Sequence, residues 1–529
     1  MMPASQPESA ASAQPPLPLP PSGPPTPIVW RIAIAVFISL LGFFAYLLRE
    51  SIGLRGQSGV GVIVFFGLVA IFSANLRAVR WSTIAWGIGL QIALAILVLK
   101  VGYTRQLTEH ESQSLQAQRA VAMIGLGTHG ALAVMPAIPV SPPETKFVRP
   151  VYVVFERLGD FVKAFISFSD EGAKFVFGNL AQPGDIALNP GAEFLFMFAF
   201  KALPPILFVS AFFTVLYHFG VLQWCVRLMA RGMVYLMGTS GAETLSVAAN
   251  VFMGQTEAPL IVKPYVPRMT NSELFTLMAS GMAHISGGMM VVYINYGADP
   301  VAVLTTCVMA CPCSLYLAKL YLPEISVPET AGTVETKQEK SPYVNGIDAA
   351  AAGTGDGLRL ALNVGAMLIV FIAFVAMFNG LLEQIKPMLL ALGVPADRLA
   401  TWPDKLSLGQ IFGWMFAPAA FLMGIDANDM EKVGTLLGSK LSINEHYAYL
   451  QMKAMRLIPG YMAERSYTLA AFALTGFANF ASIGIQIGGI GAMAPERRGD
   501  LARLGGQALF VGFVATLLNA AIAGILIDD

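Results

Sequence analysis

About nine stretches of this chain stay apolar for the roughly 20 residues that a helix needs to cross a bilayer core. They lie near 29–48, 58–76, 82–101, 195–222, 273–296, 300–322, 358–383, 466–490 and 502–526. Runs of that length cannot all be buried in the core of a soluble domain, so the fold class is an all-α integral membrane protein. Charge agrees: only 12% of the 529 residues are charged, about half the usual fraction of a soluble chain. A formal net charge of zero leaves no broad basic surface for nucleic acid.

Two regions outside these runs are polar. Residues 102–148 read as an aqueous loop with room for a short helix, and 149–181 mix apolar and charged residues at helical spacing, as an interfacial helix does. A second soluble break at 325–356 separates two halves. The N-terminal stretch is rich in Pro, Ser, Ala and Gln and lacks the basic start of a signal peptide. It is expected as a disordered tail over 1–28, followed by a helix that stays in the membrane. Arg77, Arg80, Arg227, Arg231, Arg497, Arg498 and Arg503 can all face the cytoplasm in one topology. That topology puts the N-terminus inside, with the C-terminus and the 102–194 loop outside. Cys311-Pro312-Cys313 lacks the second ligand pair of a zinc site and reads as packing.

Two further segments, 238–268 and 427–452, are apolar enough to enter the bilayer but are interrupted by polar residues at Gly254–Pro259 and Ser442–Glu445. Each reads as a re-entrant helical hairpin with a polar tip. Irregular backbone at that depth survives only inside protein or beside a water-filled cavity. Interrupted segments in corresponding places of two halves point to an inverted-repeat transporter.

Ionisable and polar residues inside membrane segments are functional candidates. Gln255, Thr256 and Glu257 place donors and acceptors in a row, between a Gly and a Pro that break the helix; a loop between two ordinary helices is the plainer alternative. The Glu445 carboxylate can accept two bonds from vicinal hydroxyls, as a ribose offers, or it can be an interfacial charge. Phe477 can cover a base face while Asn479 and Ser482 bond a sugar, although such residues also glue helices together. His284 can be a buried structural group or, given its titration range, a proton carrier.

The stretches GTSGAETLSVAANVFMGQTEAPLIVKPYVPRMTNSELF and ALTGFANFASIGIQIGGIGAMAPERRGDLARLG resemble the signatures of the concentrative nucleoside transporter family. The resemblance runs from residue 58 to the end, apart from the 102–148 loop, and GQTEAP together with GFANF is its most specific part. It implies an ion-coupled symporter for nucleosides, a homotrimer in membrane lipid, and elevator-type alternating access. Gln255, Thr256 and Glu257 match base-recognising positions, Glu445, Asn479 and Ser482 match ribose positions, and Phe477 and Met289 match apolar contacts. Asn250, Met253 (through its backbone) and the break at His284–Ile285 match the ion-coupling positions.

The organisation that follows has an extra helix at 29–57, scaffold helices at 58–101, and the outer loop with its interfacial helix at 102–194. A scaffold helix with an interfacial helix covers 195–232, and the first transport half 233–324. After the 325–356 linker come a scaffold helix and loop at 357–408 and the second transport half at 409–529. One departure matters: His284 stands where sodium-coupled members carry a small hydroxyl residue. Hard cations prefer oxygen ligands, so both sodium and proton coupling are carried forward. A nucleobase or other nucleoside-derived solute is the nearest alternative cargo. A membrane-embedded hydrolase is distant, since neither HExxH nor GxSxG occurs and no other cofactor is implied. A bacterial inner membrane is the expected location.

Overall fold

Proline, glycine and capping side chains cut the apolar runs into helices whose ends, more than their middles, decide the architecture. The computed structural model describes residues 24–106, 145–178, 204–332, 342–399, 403 and 405–527. The N-terminal tail to residue 23, most of the outer loop (107–144), residues 195–203 of the fourth run and residues 333–341 of the linker lie outside them. In chain order the helices are α1 (Ile28–Leu47), α2 (Arg49–Ile71), α3 (Trp81–Leu99), α4 (Pro150–Phe177), α5 (Pro204–His218) and α6 (Val221–Met237). They continue as α7 (Gly241–Ala249), α8 (Asn271–Ala283), α9 (Gly287–Asn295), α10 (Pro300–Tyr321), α11 (Gly346–Glu383) and α12 (Ile385–Ala391). The last six are α13 (Leu408–Leu422), α14 (Met430–Ser442), α15 (Glu445–Arg456), α16 (Glu464–Leu474), α17 (Phe480–Met493) and α18 (Arg498–Leu526).

The expected all-helical membrane architecture is present, with several local differences. Among the described residues, six helical runs are long and apolar enough to cross a bilayer, or seven if α5 and α6, bent by 73°, form one span. The run at 466–490 is two helices of 11 and 14 residues, because Gly476 takes a φ of 142° and Asn479 caps a new helix behind it. The 102–148 region begins and ends in strands, β1 (Tyr103–Gln106) and β2 (Thr145–Val148), paired antiparallel with Tyr103 opposite Val148. The linker ends sooner than expected: Asn345 accepts from the N–H groups of Ile347 and Asp348. That cap, ahead of an Ala-rich stretch, starts α11 at Gly346.

The two interrupted segments differ from one another. In 427–452, α14 and α15 pack together across Ile443–Asn444. In 238–268 only α7 is a regular helix, and the return consists of 3₁₀ turns at Ala258–Val262 and Val266–Arg268. Pro259, Pro264 and Pro267 withhold the N–H groups that a second helical arm requires.

Burial divides the helices into two classes. On α1, Val36, Phe37, Leu40, Phe43 and Phe44 are each more than half or about half exposed, and α11 exposes Leu362, Ile369 and Leu381 in the same way. Apolar surface of that extent suits lipid rather than water. By contrast, 94% of the apolar stretch of α10 and 83% of that of α18 is enclosed by protein. Of the enclosed helices, α8 and α10 pack against the first interrupted segment and α16 against the second, and α18 packs against all three of them.

One end of this inner bundle is tied by charge. Ser240 and Thr270 form capping boxes with Glu243 and Glu273 at the starts of α7 and α8, an arrangement that satisfies orphan N–H groups and suits the positive helix end. Ser240 Oγ donates to Glu273 Oε1 at 2.5 Å, which joins the two boxes. Lys319, in the last turn of α10, reaches Glu243 Oε2 at 2.7 Å and Ser272 Oγ at 2.9 Å. Glu324 accepts from Thr270 Oγ1 at 2.7 Å.

Candidate functional site

Two of the enclosed helical runs are broken, and their breaks touch. Between α8 and α9 the backbone is extended at His284, and Ser286 Oγ accepts from the N–H of Met289 to start α9. Between α16 and α17, Asn479 does the same for Ser482. The Phe477 N–H donates to the His284 carbonyl at 3.0 Å. A Cβ on Gly476 would lie 3.0 Å from the Ala283 carbonyl oxygen and 2.7 Å from Thr516 Cγ2. The positive φ and this closeness both require glycine there.

Each polar tip reaches the broken helix of the other half. Glu445 begins α15 and is buried; its Oε1 accepts from Tyr293 Oη of α9 at 2.8 Å, and its Oε2 from Asn479 Nδ2 at 2.9 Å. One donor on each oxygen leaves lone pairs for further donors, since an ionised carboxylate offers about four acceptor sites. Tyr293 is itself held by Tyr449, stacked with ring centroids 4.4 Å apart.

From the first half, Gln255 Nε2 donates to Ser482 Oγ at 3.1 Å, and Gln255 Oε1 accepts from Gln486 Nε2 at 3.1 Å. Gln486 Nε2 also donates to the Met278 carbonyl at 3.0 Å. A carbonyl can only accept, so the Gln486 amide has one orientation, and through it the Gln255 amide does too. Gly281 makes room for this chain: a Cβ there would sit 2.7 Å from Gln486 Nε2.

Asn250, in the cap of α7, is buried and donates through Nδ2 to Ser280 Oγ at 3.0 Å. Ser280 Oγ spends its own proton on the Leu277 carbonyl, so the Asn250 amide is also fixed. Its Oδ1 is buried without a hydrogen-bond partner among the described residues. The His284 ring is occupied at both nitrogens. Nδ1 lies 2.8 Å from the Ser280 carbonyl oxygen, and Nε2 lies 3.4 Å from Cys311 Sγ. A carbonyl partner puts the proton on Nδ1, and the Cys311 thiol can donate to Nε2, which satisfies a neutral imidazole. Ile285 is buried, and Met253 lies on the inner face of the tip, close to α9 through its neighbour: the Gly287 N–H donates to the Phe252 carbonyl at 3.0 Å.

The structure thus brings together Gln255, Ser482, Asn479 and Glu445, and sets Asn250 beside the break that contains His284. Glu257 is exposed, with Oε2 accepting from its own turn at the Gly254 N–H, 3.1 Å away. Thr256 packs against the backbone of Gly489, where a Cβ would be 2.6 Å from Thr256 Cγ2. Met289 is buried in the first turn of α9 and Phe477 half-buried in the break. Sequence reasoning missed Tyr293, Gln486 and Lys440. Gln486 carried a signal, as a lone amide in the apolar run IGIQIGGIG, and Lys440 another, as a charge within a membrane-entering segment. Tyr293 carried none.

Three family models match the chain: "Na+ dependent nucleoside transporter N-terminus" over 60–128, "Nucleoside recognition" over 199–299 and "Na+ dependent nucleoside transporter C-terminus" over 302–524. An uncharacterized transporter of Haemophilus influenzae is 34% identical over 477 residues, covering 89% of this chain and 97% of that protein. Sodium/nucleoside cotransporter 1 of Mus musculus is also 34% identical, over 481 residues and 89% of this chain. The chain spans only 63% of that protein's length, and 58% of the mouse solute carrier family 28 member 3. Among solved structures, CNTnw in an inward-facing substrate-bound state superposes with a TM-score of 0.72 at 31% identity, over 89% of this chain and 97% of that one. A variant of the same protein in an outward-facing state gives 0.71 at 30%, over 89% and 98%.

Proposed function

Because the chain belongs to the concentrative nucleoside transporter family, we propose that it is a sodium-coupled secondary active transporter that imports nucleosides. The observation that carries this reading is the Glu445 carboxylate, enclosed between Tyr293 and Asn479 with acceptor capacity left over. Such a group suits the vicinal hydroxyls of a ribose, because bonds to an ionised acceptor are about twice as strong as neutral ones. The fixed amide of Gln255, with Thr256 and Glu257 beside it, supplies the base-reading edge; Phe477 and Met289 give the apolar contacts.

Coupling follows from the first break. Among the described residues Asn250 Oδ1 is a hard oxygen without a partner, and the backbone carbonyls near Met253 and at the His284–Ile285 break, the His284 one keeping a second lone pair beside its bond from the Phe477 N–H, are of the same kind, which suits an alkali cation. His284 is already satisfied as a neutral ring, so proton carriage on it is the weaker reading.

In the transport cycle, the halves at 233–324 and 409–529, with both interrupted segments as re-entrant hairpins, move as a transport domain against the remaining helices. One relative, CNTnw, solved in an inward-facing state and, as a variant, in an outward-facing state, supports the motion. A homotrimer in the bacterial inner membrane, N-terminus inside, completes the proposal.

The test is uptake of radiolabelled uridine into proteoliposomes at constant pH, with and without a sodium gradient, against unlabelled nucleosides and nucleobases. Sodium-dependent accumulation blocked by nucleosides is expected, and Glu257→Ala and Glu445→Ala should abolish it while leaving membrane insertion intact. Normal uptake by either variant removes the site assignment. Uptake that follows a pH gradient and ignores sodium transfers the coupling to protons, and equal competition by free bases changes the cargo.

A further inference from the structure

Lys440 lies in the last turn of α14, inside the second interrupted segment, and is fully enclosed. Among the described residues, no carboxylate lies within ion-pair distance of it. The Glu445 carboxylate acts on it only through space, and an ammonium removed from water without a carboxylate in contact is costly, so its immediate surroundings must supply what a salt bridge otherwise would. They do. Nζ donates to the Ala473 carbonyl at 2.7 Å and to Thr516 Oγ1 at 2.9 Å, and the Phe513 ring centroid lies 5.4 Å away. Thr516 Oγ1 gives its own proton to the Phe513 carbonyl and so is free to accept. Carbonyl, hydroxyl and aromatic face together form a site for a monovalent cation.

Ala473 belongs to the last turn of α16, where carbonyl groups lack helical partners and the helix end carries partial negative charge. That end stops inside the bundle, where water cannot cover it. The opposite arm of the same segment grips the same place: Tyr449 Oη donates to the Ala471 carbonyl at 2.9 Å and lies 2.8 Å from Thr475 Oγ1. Six residues after Ala473 comes Asn479, the residue whose amide meets Glu445.

The first half handles its own break differently. There the residue that ends the first arm is the neutral Asn250, with an oxygen unpartnered among the described residues, and the last-turn carbonyl of Ser280 is met by His284 Nδ1.

We propose that Lys440 is a built-in cation that closes the end of α16 and thereby positions Asn479 on Glu445, so that the second half carries its charge covalently whereas the first takes an ion from solution. Lys440 is a positioning residue in this account, because it is enclosed behind the break and acts through Ala473. The inference rests on the nucleoside-transport reading, and wild-type protein run in parallel separates the two. Wild-type proteoliposomes that take up no uridine would overturn the transport reading, not this one.

The experiment compares wild type, Lys440→Met, Lys440→Arg and Thr516→Val for uptake of uridine and of 2′,3′-dideoxyuridine. Lys440→Met keeps the length and loses the charge; uridine uptake should fall at least about tenfold, the scale of one charged hydrogen bond, and the preference for uridine over the dideoxy analogue should shrink with it. Lys440→Arg should recover part of both. Thr516→Val, which removes one acceptor and leaves the ammonium, should show the loss of preference in milder form. A general loss of stability would lower both substrates alike. Wild-type preference in a folded Lys440→Met, or in Thr516→Val if Lys440→Met does not fold, overturns the inference.

Discussion

Replacing Gln486 by Leu should impair a site that Gln486 reaches only through another residue. The two side chains are close in size and the position is fully enclosed, so the loss is one of hydrogen bonding. Gln486 Nε2 serves two acceptors, Gln255 Oε1 and the Met278 carbonyl, and both stay buried when it goes. An unsatisfied buried acceptor costs about 1–3 kcal/mol. The Met278 carbonyl keeps its partner within α8, so the share that falls on the fold is small. The share that falls on Gln255 frees its amide to turn, so the edge facing a base is no longer single. If that second share reaches the full range, the KM for uridine rises by about 5- to 150-fold, since 1.36 kcal/mol is a factor of ten. The assay is initial uptake into proteoliposomes for Gln486→Leu, Gln255→Ala and the double variant, normalised to folded protein. Residues in one hydrogen-bond chain couple by about 0.5–3 kcal/mol, so Gln486→Leu should add little once Gln255 is already Ala. Strict additivity of the two losses would refute the claim that Gln486 acts by orienting Gln255.

Three further outcomes follow from the same geometry. Glu445→Gln can keep its oxygen toward Asn479 and turn its NH2 toward the Tyr293 hydroxyl, so it should fold normally; yet its uridine KM should rise by about 10- to 150-fold for a lost charged bond, with little change for the dideoxy analogue in the same competition assay. Lys319→Met leaves Glu243 buried without its cation at 2.7 Å, and breaking such a pair costs roughly 3–5 kcal/mol, read as a lowered melting temperature in detergent. Gly476→Ala must hold a φ of 142° and place a methyl 2.7 Å from Thr516 Cγ2; a strained residue of this kind costs about 1–3 kcal/mol, and thermal unfolding with uptake would show whether the two breaks still meet.

Hydrophobicity and punctuation are local properties, which is why the sequence alone determined the membrane class, the places of the apolar runs and the two polar interruptions. GQTEAP and GFANF fall in this category too, because a polar string between apolar flanks is visible without coordinates. Only the tertiary structure decided which tip meets which break. Gln255 and Ser482 are 227 residues apart, and Tyr293 and Glu445 are 152 apart; no periodicity links them, and the pairing exists because Phe477 and His284 cross inside the bundle. The same crossing decided what His284 does. Read as a letter it was a buried structural group, a proton carrier or a misfit at an ion site, whereas in place its nitrogens are taken by Ser280 and Cys311 and the oxygen beside the break that is unpartnered among the described residues is that of Asn250. Lys440 shows the limit from the other side. A charge in an apolar arm is by itself only a cost, and the α16 helix end folded against it supplies the partner, because orphan carbonyls acquire their field from helical geometry and not from residue identity.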